Sequence, residues 1–183
     1  MQWPTVGDKH DDRFALAVLG AILTGPRTAR LTKALVFDEQ AAASVSARQN
    51  TSEDVGEFMV SITPRPGHTL TDLETAADAV IERFKREGPT AEEVAKATAG
   101  EELSFVRGLE SNLGKAFQLA NGAAIHGDPG HFRIEYQKTL AVTAADVQRV
   151  ANTYLTPNRI VLSVVPASQI NQASKPAESQ KVP

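Results

Sequence analysis

Histidine is the residue type here best suited to metal or proton chemistry, and the chain carries His10, His68, His126 and His131. His10 stands beside Asp11 and Asp12, while His126 and His131 flank Gly127-Asp128-Pro129-Gly130. A helical zinc site needs two histidines one turn apart with a carboxylate base, as in His-Glu-x-x-His or its inverse. His126 and His131 instead lie across a Gly-Pro break, so no single helix aims both imidazoles at one ion. They read as part of a solvated loop behind a helix C-terminus. His10-Asp11-Asp12 reads as the polar start of the first helix, where acids favour the dipole. His68 sits in a Pro-Gly turn that gives it no role.

Paired acids occur at Glu92-Glu93 and Glu101-Glu102. Neighbours on a helix diverge by about 100°, so neither pair converges on one substrate. The first pair opens a helix, where acids are expected for structural reasons. The serines fall in strands and caps, with no Gly-x-Ser-x-Gly elbow, and no glycine-rich loop is spaced to cradle phosphate. Arg27 and Arg30 in "GPRTAR" could clamp a carboxylate, but read more simply as two exposed surface arginines. The residues therefore nominate no catalytic, cofactor-binding or metal-ligating side chain.

Composition narrows the class further. The chain has 183 residues, 42% of them hydrophobic, and a formal charge of −3. That fits one domain with a tail and gives no electrostatic case for nucleic acid. No apolar run is long enough to span a membrane, and the start lacks the basic and apolar regions of a signal peptide. Cysteine is absent, which excludes disulfides and thiolate chemistry without indicating a compartment.

The elements that would position any site follow from periodicity. Phe14 to Thr24 is apolar on nearly every side and predicts a buried helix ended by Gly25-Pro26. A second helix is expected over roughly Ala29 to Phe37. Ala43, Val45 and Ala47, then Phe58, Val60 and Ile62, alternate with polar residues and predict an antiparallel hairpin across "QNTSED". Small residues in its first strand imply a close neighbour. Capping boxes are expected at Thr71/Glu74, Thr90/Glu93 and Thr143/Asp146, and a cap at Ser111. A short helix spans Phe132 to Leu140. "IVLSVV" (160–165) predicts a strand joining the hairpin, and "QWPTV" (2–6) the end of an additional one. From Pro166 onward the polar, Pro-rich composition predicts a linker or disordered tail, residues 167–183. Strands and helices are segregated, so the class is α+β: an antiparallel sheet of three or four strands covered on one face by several helices.

This order resembles the non-catalytic αβ domain of the M16, or pitrilysin-like, zinc metallopeptidases, a LuxS/MPP-like metallohydrolase fold. The resemblance is carried by Asp12, the helix to Thr24, Gly25, Ala29-Arg30-Leu31, Leu35, Glu39-Gln40 and the strand Ala42 to Ala47. "GPTAEEVAKA" (88–97), "GDP" (127–129) and "VTAADVQRVANTYLTPNRIVLSVVP" (142–166) extend it, so the domain is expected over residues 1–166.

The resemblance implies that zinc is held by His-x-x-Glu-His in a companion catalytic domain, in the same parent chain or a partner subunit, and by nothing here. Family members often complete the site with an Arg and, seven residues later, a Tyr; the matching places hold Val36 and Ala43. Neither can donate to a developing oxyanion. The resemblance thus implies a substrate-chamber wall of a zinc metalloendopeptidase, acting on a peptide substrate and able to add a strand edge to it. It favours a second domain of a longer, periplasmic chain over a C-terminal one in a degenerate peptidase. A non-proteolytic scaffold like the respiratory core subunits is the alternative, and an unrelated α+β binding module the third reading.

Overall fold

The computed structural model describes residues 1–166 and 168–180. Three strands, β1 (Gln2–Val6), β2 (Ala42–Thr51) and β3 (Val55–Pro64), form one antiparallel sheet in the order β1-β3-β2. Opposed residues share a face, so the register places Trp3 beside Phe58, Val60 beside Ala47, and Ile62 beside Val45. That face meets the core; Trp3, Phe58 and Val60 are essentially inaccessible. The other face is polar: Glu57 accepts from Gln2 and from Asn50, the latter at 2.9 Å. The alternation seen in the sequence is thus the in–out pattern of a one-sided sheet.

Helix α1 (Asp12–Leu23) is the central element. It packs on β2 and is flanked by α3 (Ala91–Gly108), α5 (Phe132–Leu140) and α6 (Ala144–Tyr154). Leu16, Val18, Leu19 and Leu23 have no solvent exposure, which explains why its sequence is apolar all round. Gly20 lets the helix approach closely: a Cβ there would lie 3.2 Å from the Ala47 carbonyl oxygen. This is the close neighbour that the small residues of β2 imply.

Helices α2 (Leu70–Glu87) and α4 (Asn112–His126) complete the helical layer. Thr90/Glu93 and Thr143/Asp146 form full capping boxes, and Ser111 caps α4 by accepting from the Gly114 N–H. At α2 the cap is Thr69, whose hydroxyl accepts from the Asp72 N–H, and not the expected Thr71/Glu74 pair. Thr69 takes the extended conformation of an N-cap, while Thr71 is already inside the helix. Glu74 is thereby freed for a buried ion pair.

Two further expectations are revised. The segment expected as an α-helix over 29–37 is a π-helical turn at Thr32–Asp38, closed by Glu39 donating to the Ala34 carbonyl. The stretch 160–165 joins the sheet only through one bridge, Gln2 to Ile160. Among the described residues, Leu162 to Val165 have no partner strand. β1 supplies the third strand instead. In the expected tail, Ile170–Gln172 form a single 3₁₀ turn and Ala173 and Ser174 are buried; residues 167 and 181–183 lie outside the described ones.

Candidate functional site

Val36 and Ala43 mark where the resemblance would place functional side chains. Val36 is half-buried in the π-helical turn and packs against the core. Ala43 is exposed at a bulge: Ala42 pairs with Pro64 and Ser44 with Thr63, leaving Ala43 without an opposite residue. Neither methyl-bearing side chain can donate a hydrogen bond or transfer a proton.

The nearby arginines have structural work. Arg30 is mostly buried, its side chain 14% exposed, and not a surface residue as its setting in "GPRTAR" suggests. It forks onto Glu93 at 2.8 and 2.9 Å, reaches the Gly88 carbonyl at 3.0 Å, and lies over the Phe84 ring. Its hydrogen bond leads the effects holding the Glu93 carboxyl below its usual range. Glu93 thus serves both the capping box and Arg30. Arg27 is exposed and covers Phe37.

Two more carboxylate clusters tie distant segments. Asp12 accepts from Arg149 at 2.7 and 3.1 Å and from the Tyr154 hydroxyl at 2.7 Å, locking α1 to α6. The Arg149 hydrogen bond is the main cause of a lowered Asp12 pKa, while burial followed by the bond to Asp12 pushes Tyr154 up to about 12. Glu74, 7% exposed, accepts from Arg159 at 2.7 Å and from the Ser174 hydroxyl. Burial is the largest effect and opposes its ionisation, but the hydrogen bonds from Ser174 and Arg159, together with the positive charges of Lys175 and Arg159, outweigh it and leave its pKa lowered. These residues floor an open groove of about 1070 Å³ between α2 and residues 159–165.

The four histidines separate into two groups. His10 accepts the Asp12 N–H at 3.1 Å, which makes it part of the start of α1, and His68 is exposed in its turn. His126 and His131 are brought together by a device that one helix lacks. Gly127 ends α4 in the left-handed conformation, at φ 71°. The chain then reverses, and His131 opens α5. The two rings stack with centroids 3.6 Å apart, and Glu135, one turn into α5, joins them. Asp8, in the loop between β1 and α1, approaches His126 Nε2 at 2.9 Å. Spacing alone could not show this, because the contacts span the chain; the only local signal was a Gly-Pro reversal between two histidines.

Among curated proteins no sequence matches the chain. Among solved structures, a protease from Helicobacter pylori superposes with a TM-score of 0.78 at 23% identity, covering 86% of this chain and 38% of that one. The inactive peptidase domain of a candidate zinc protease from Bordetella parapertussis gives 0.76 at 19% identity, covering 86% and 85%. Respiratory complex III from Candida albicans contains a chain that gives 0.68 at 16% identity, covering 84% and 39%. This chain therefore spans well under half of the Helicobacter protease, and the likeness at such identities concerns the fold. The family described as the peptidase M16 inactive domain matches residues 1–100. That match covers more than half of the sequence, and its order of helix, turn, helix and hairpin is the one described above: the chain belongs to the M16 inactive-domain family.

Proposed function

We propose that this domain is a structural wall of the substrate chamber of a zinc-dependent M16 metalloendopeptidase. Zinc and the base would reside in a companion domain bearing His-x-x-Glu-His, a motif this sequence does not contain. There a metal-bound water would attack the peptide carbonyl.

The observation that carries this reading is exposed apolar surface on α3 and α4. Leu113 and Phe117, one turn apart on one face of α4, are 69% and 63% exposed, and Leu103 and Val106 on α3 are each 50% exposed. Apolar surface left open in this way calls for a partner. The reading of a peptide-pairing edge is weaker for β2, the outer strand, because its Ala47 N–H is already taken by Thr24. Wall formation is the better-supported role.

The fold shared with a chain of respiratory complex III supports a second reading, a scaffold without proteolysis. One experiment separates them: a fluorogenic peptide library incubated with this chain alone, then with the companion domain added. Chelator-sensitive turnover only in the mixture supports the chamber wall. A stable complex without turnover supports the scaffold, and turnover by this chain alone overturns both.

A further inference from the structure

We propose that a slot in the sheet, between residues 61–64 of β3 and residues 162–165, accepts one extended strand from a partner polypeptide, with apolar side chains at alternate positions. The slot is separate from the exposed surface of α3 and α4, so it stands whether or not the chamber reading holds.

β1 shows what fits between these two walls. Gln2 is opposite Met59 in β3, and its backbone also donates to Ile160 at 2.8 Å and accepts from it at 2.9 Å. At that level the walls stand two strand spacings apart, about 9–10 Å. Met1 exchanges two bonds with Val60, both of 2.8 Å. Past this pair the walls continue, and among the described residues no strand lies between them. A cavity of about 430 Å³ opens there, lined by Ser61 to Pro64 on one side and Ile160 to Val164 on the other.

Both walls turn backbone groups into the slot. In an antiparallel ladder alternate residues present N–H and C=O to the same side. Val60 bonds towards β1, so Ile62 presents its pair in that direction. Ile160 bonds towards Gln2, so Leu162 and Val164 do likewise. The phase agrees from the far side, where the Ala47 N–H opposite Val60 points away from β3 and to Thr24. Among the described residues no backbone hydrogen bond reaches Leu162 or Val164, whose side chains are 65% and 86% exposed. A strand inserted here closes two ladders at once, where a strand added to a sheet edge closes one.

The lining states the occupant's pattern. Gln2 faces Met59 and Ile160 together, which sets Ile62 level with Ser163, and Pro64 level with Val165, on the face that meets the core. Leu70 and the buried Leu73 floor the slot on that side. Glu74, beneath them, is already held by Arg159 and Ser174 and asks for no charge from an occupant. Core-facing positions of the incoming strand therefore meet carbon and call for apolar side chains. The positions between, beside Ser61 and Thr63, face outward and accept polar ones.

The test titrates the peptide acetyl-Lys-Lys-Val-Thr-Val-Thr-amide, which carries that alternation, into the full 183-residue chain and follows backbone amides by NMR. One saturable site is expected, with hydrogen exchange at Ile62, Leu162 and Val164 slowed at least tenfold. Two further probes are N-methylated at both valines or at both threonines. Each loses the ladder to one wall, so each should bind at least tenfold more weakly. Val164→Pro removes a donor aimed into the slot and should weaken binding likewise, while Val165→Pro removes one aimed away and should not. Full-strength binding by either N-methylated probe would place the peptide on a single edge and overturn the slot. Absence of saturable binding, or equal affinity in the two proline variants, overturns it as well.

Discussion

The Thr24 hydroxyl accepts the Ala47 backbone N–H at 2.8 Å and donates to the Gly20 carbonyl at 3.2 Å, stitching the end of α1 to the free edge of β2. Thr24 is buried, so no water replaces it. Thr24→Val would keep the shape but orphan the Ala47 donor, at a cost of about 1–3 kcal/mol. Thermal unfolding should fall by several degrees, with Thr24→Ser retaining most of the stability. A melting temperature unchanged in the valine variant would show that the bond contributes nothing.

Gly20→Ala tests the same contact by volume. The added methyl meets the carbonyl oxygen of Ala47 at 3.2 Å, and backbone cannot move aside as a side-chain tip can. Overpacking of this kind costs about 1–3 kcal/mol, against a helix-propensity gain of about 0.8–1.0 kcal/mol for replacing glycine. The expected net loss is modest, and hydrogen exchange at Ala47 and Arg48 should accelerate. Slower exchange at those amides would contradict the close packing.

Arg30→Lys removes the fork that engages Glu93 twice while preserving charge. An ammonium cannot reproduce the planar, two-pronged contact or the stacking over Phe84. A loss of about 1–2 kcal/mol is expected, on the scale of hydrogen bonds to charged groups. Chemical denaturation midpoints measure it, and parity between the lysine variant and the unaltered protein would reduce Arg30 to a point charge.

The Asp12–Tyr154 pair gives stability a defined pH dependence. Asp12 titrates lower when folded, so its contribution is present above its unfolded value of 3.8 and is lost as pH falls through the folded value. Tyr154 titrates higher when folded, so its contribution is full below 10.0 and is lost as pH rises from there to about 12. Tyr154→Phe should flatten the alkaline limb of a stability profile and leave the acid limb largely in place. An alkaline limb that persists unchanged in the phenylalanine variant would assign it to other groups.

Charge on the exposed apolar face separates stability from assembly. Leu113 and Phe117 are 69% and 63% exposed. Phe117→Glu should therefore leave the melting temperature nearly unchanged while weakening capture of the companion domain. Equal capture by analytical ultracentrifugation would place the interface elsewhere.

The parts of this fold that were legible in the sequence are those whose causes are local. Thr90 and Thr143 announce their helices because each bonds a residue three positions ahead, and the β2–β3 alternation follows from a sheet with one wet face. The Thr69 cap escaped notice because Thr71/Glu74 matched the same pattern two residues later. Glu74 is held instead by Arg159 and Ser174, which no short window contains. The strand expected at 160–165 had the right residues, but pairing depends on a neighbour that local composition does not reveal, and among the described residues it makes one bridge, to Gln2. The His126–His131 stack depends on a chain reversal, and its link to Asp8 spans more than a hundred positions, so spacing rules for single helices passed over it.

Trp3 donates its indole N–H to the Thr156 carbonyl at 2.7 Å, and Arg159 lies over its ring. β1 is thus sealed by a contact spanning 153 positions, so the indole gains its shelter only once the segment around Thr156 has docked. Because the sequence has a single tryptophan, its emission is a built-in clock for that docking. Truncation before Thr156 should leave the fluorescence red-shifted and open to quenchers.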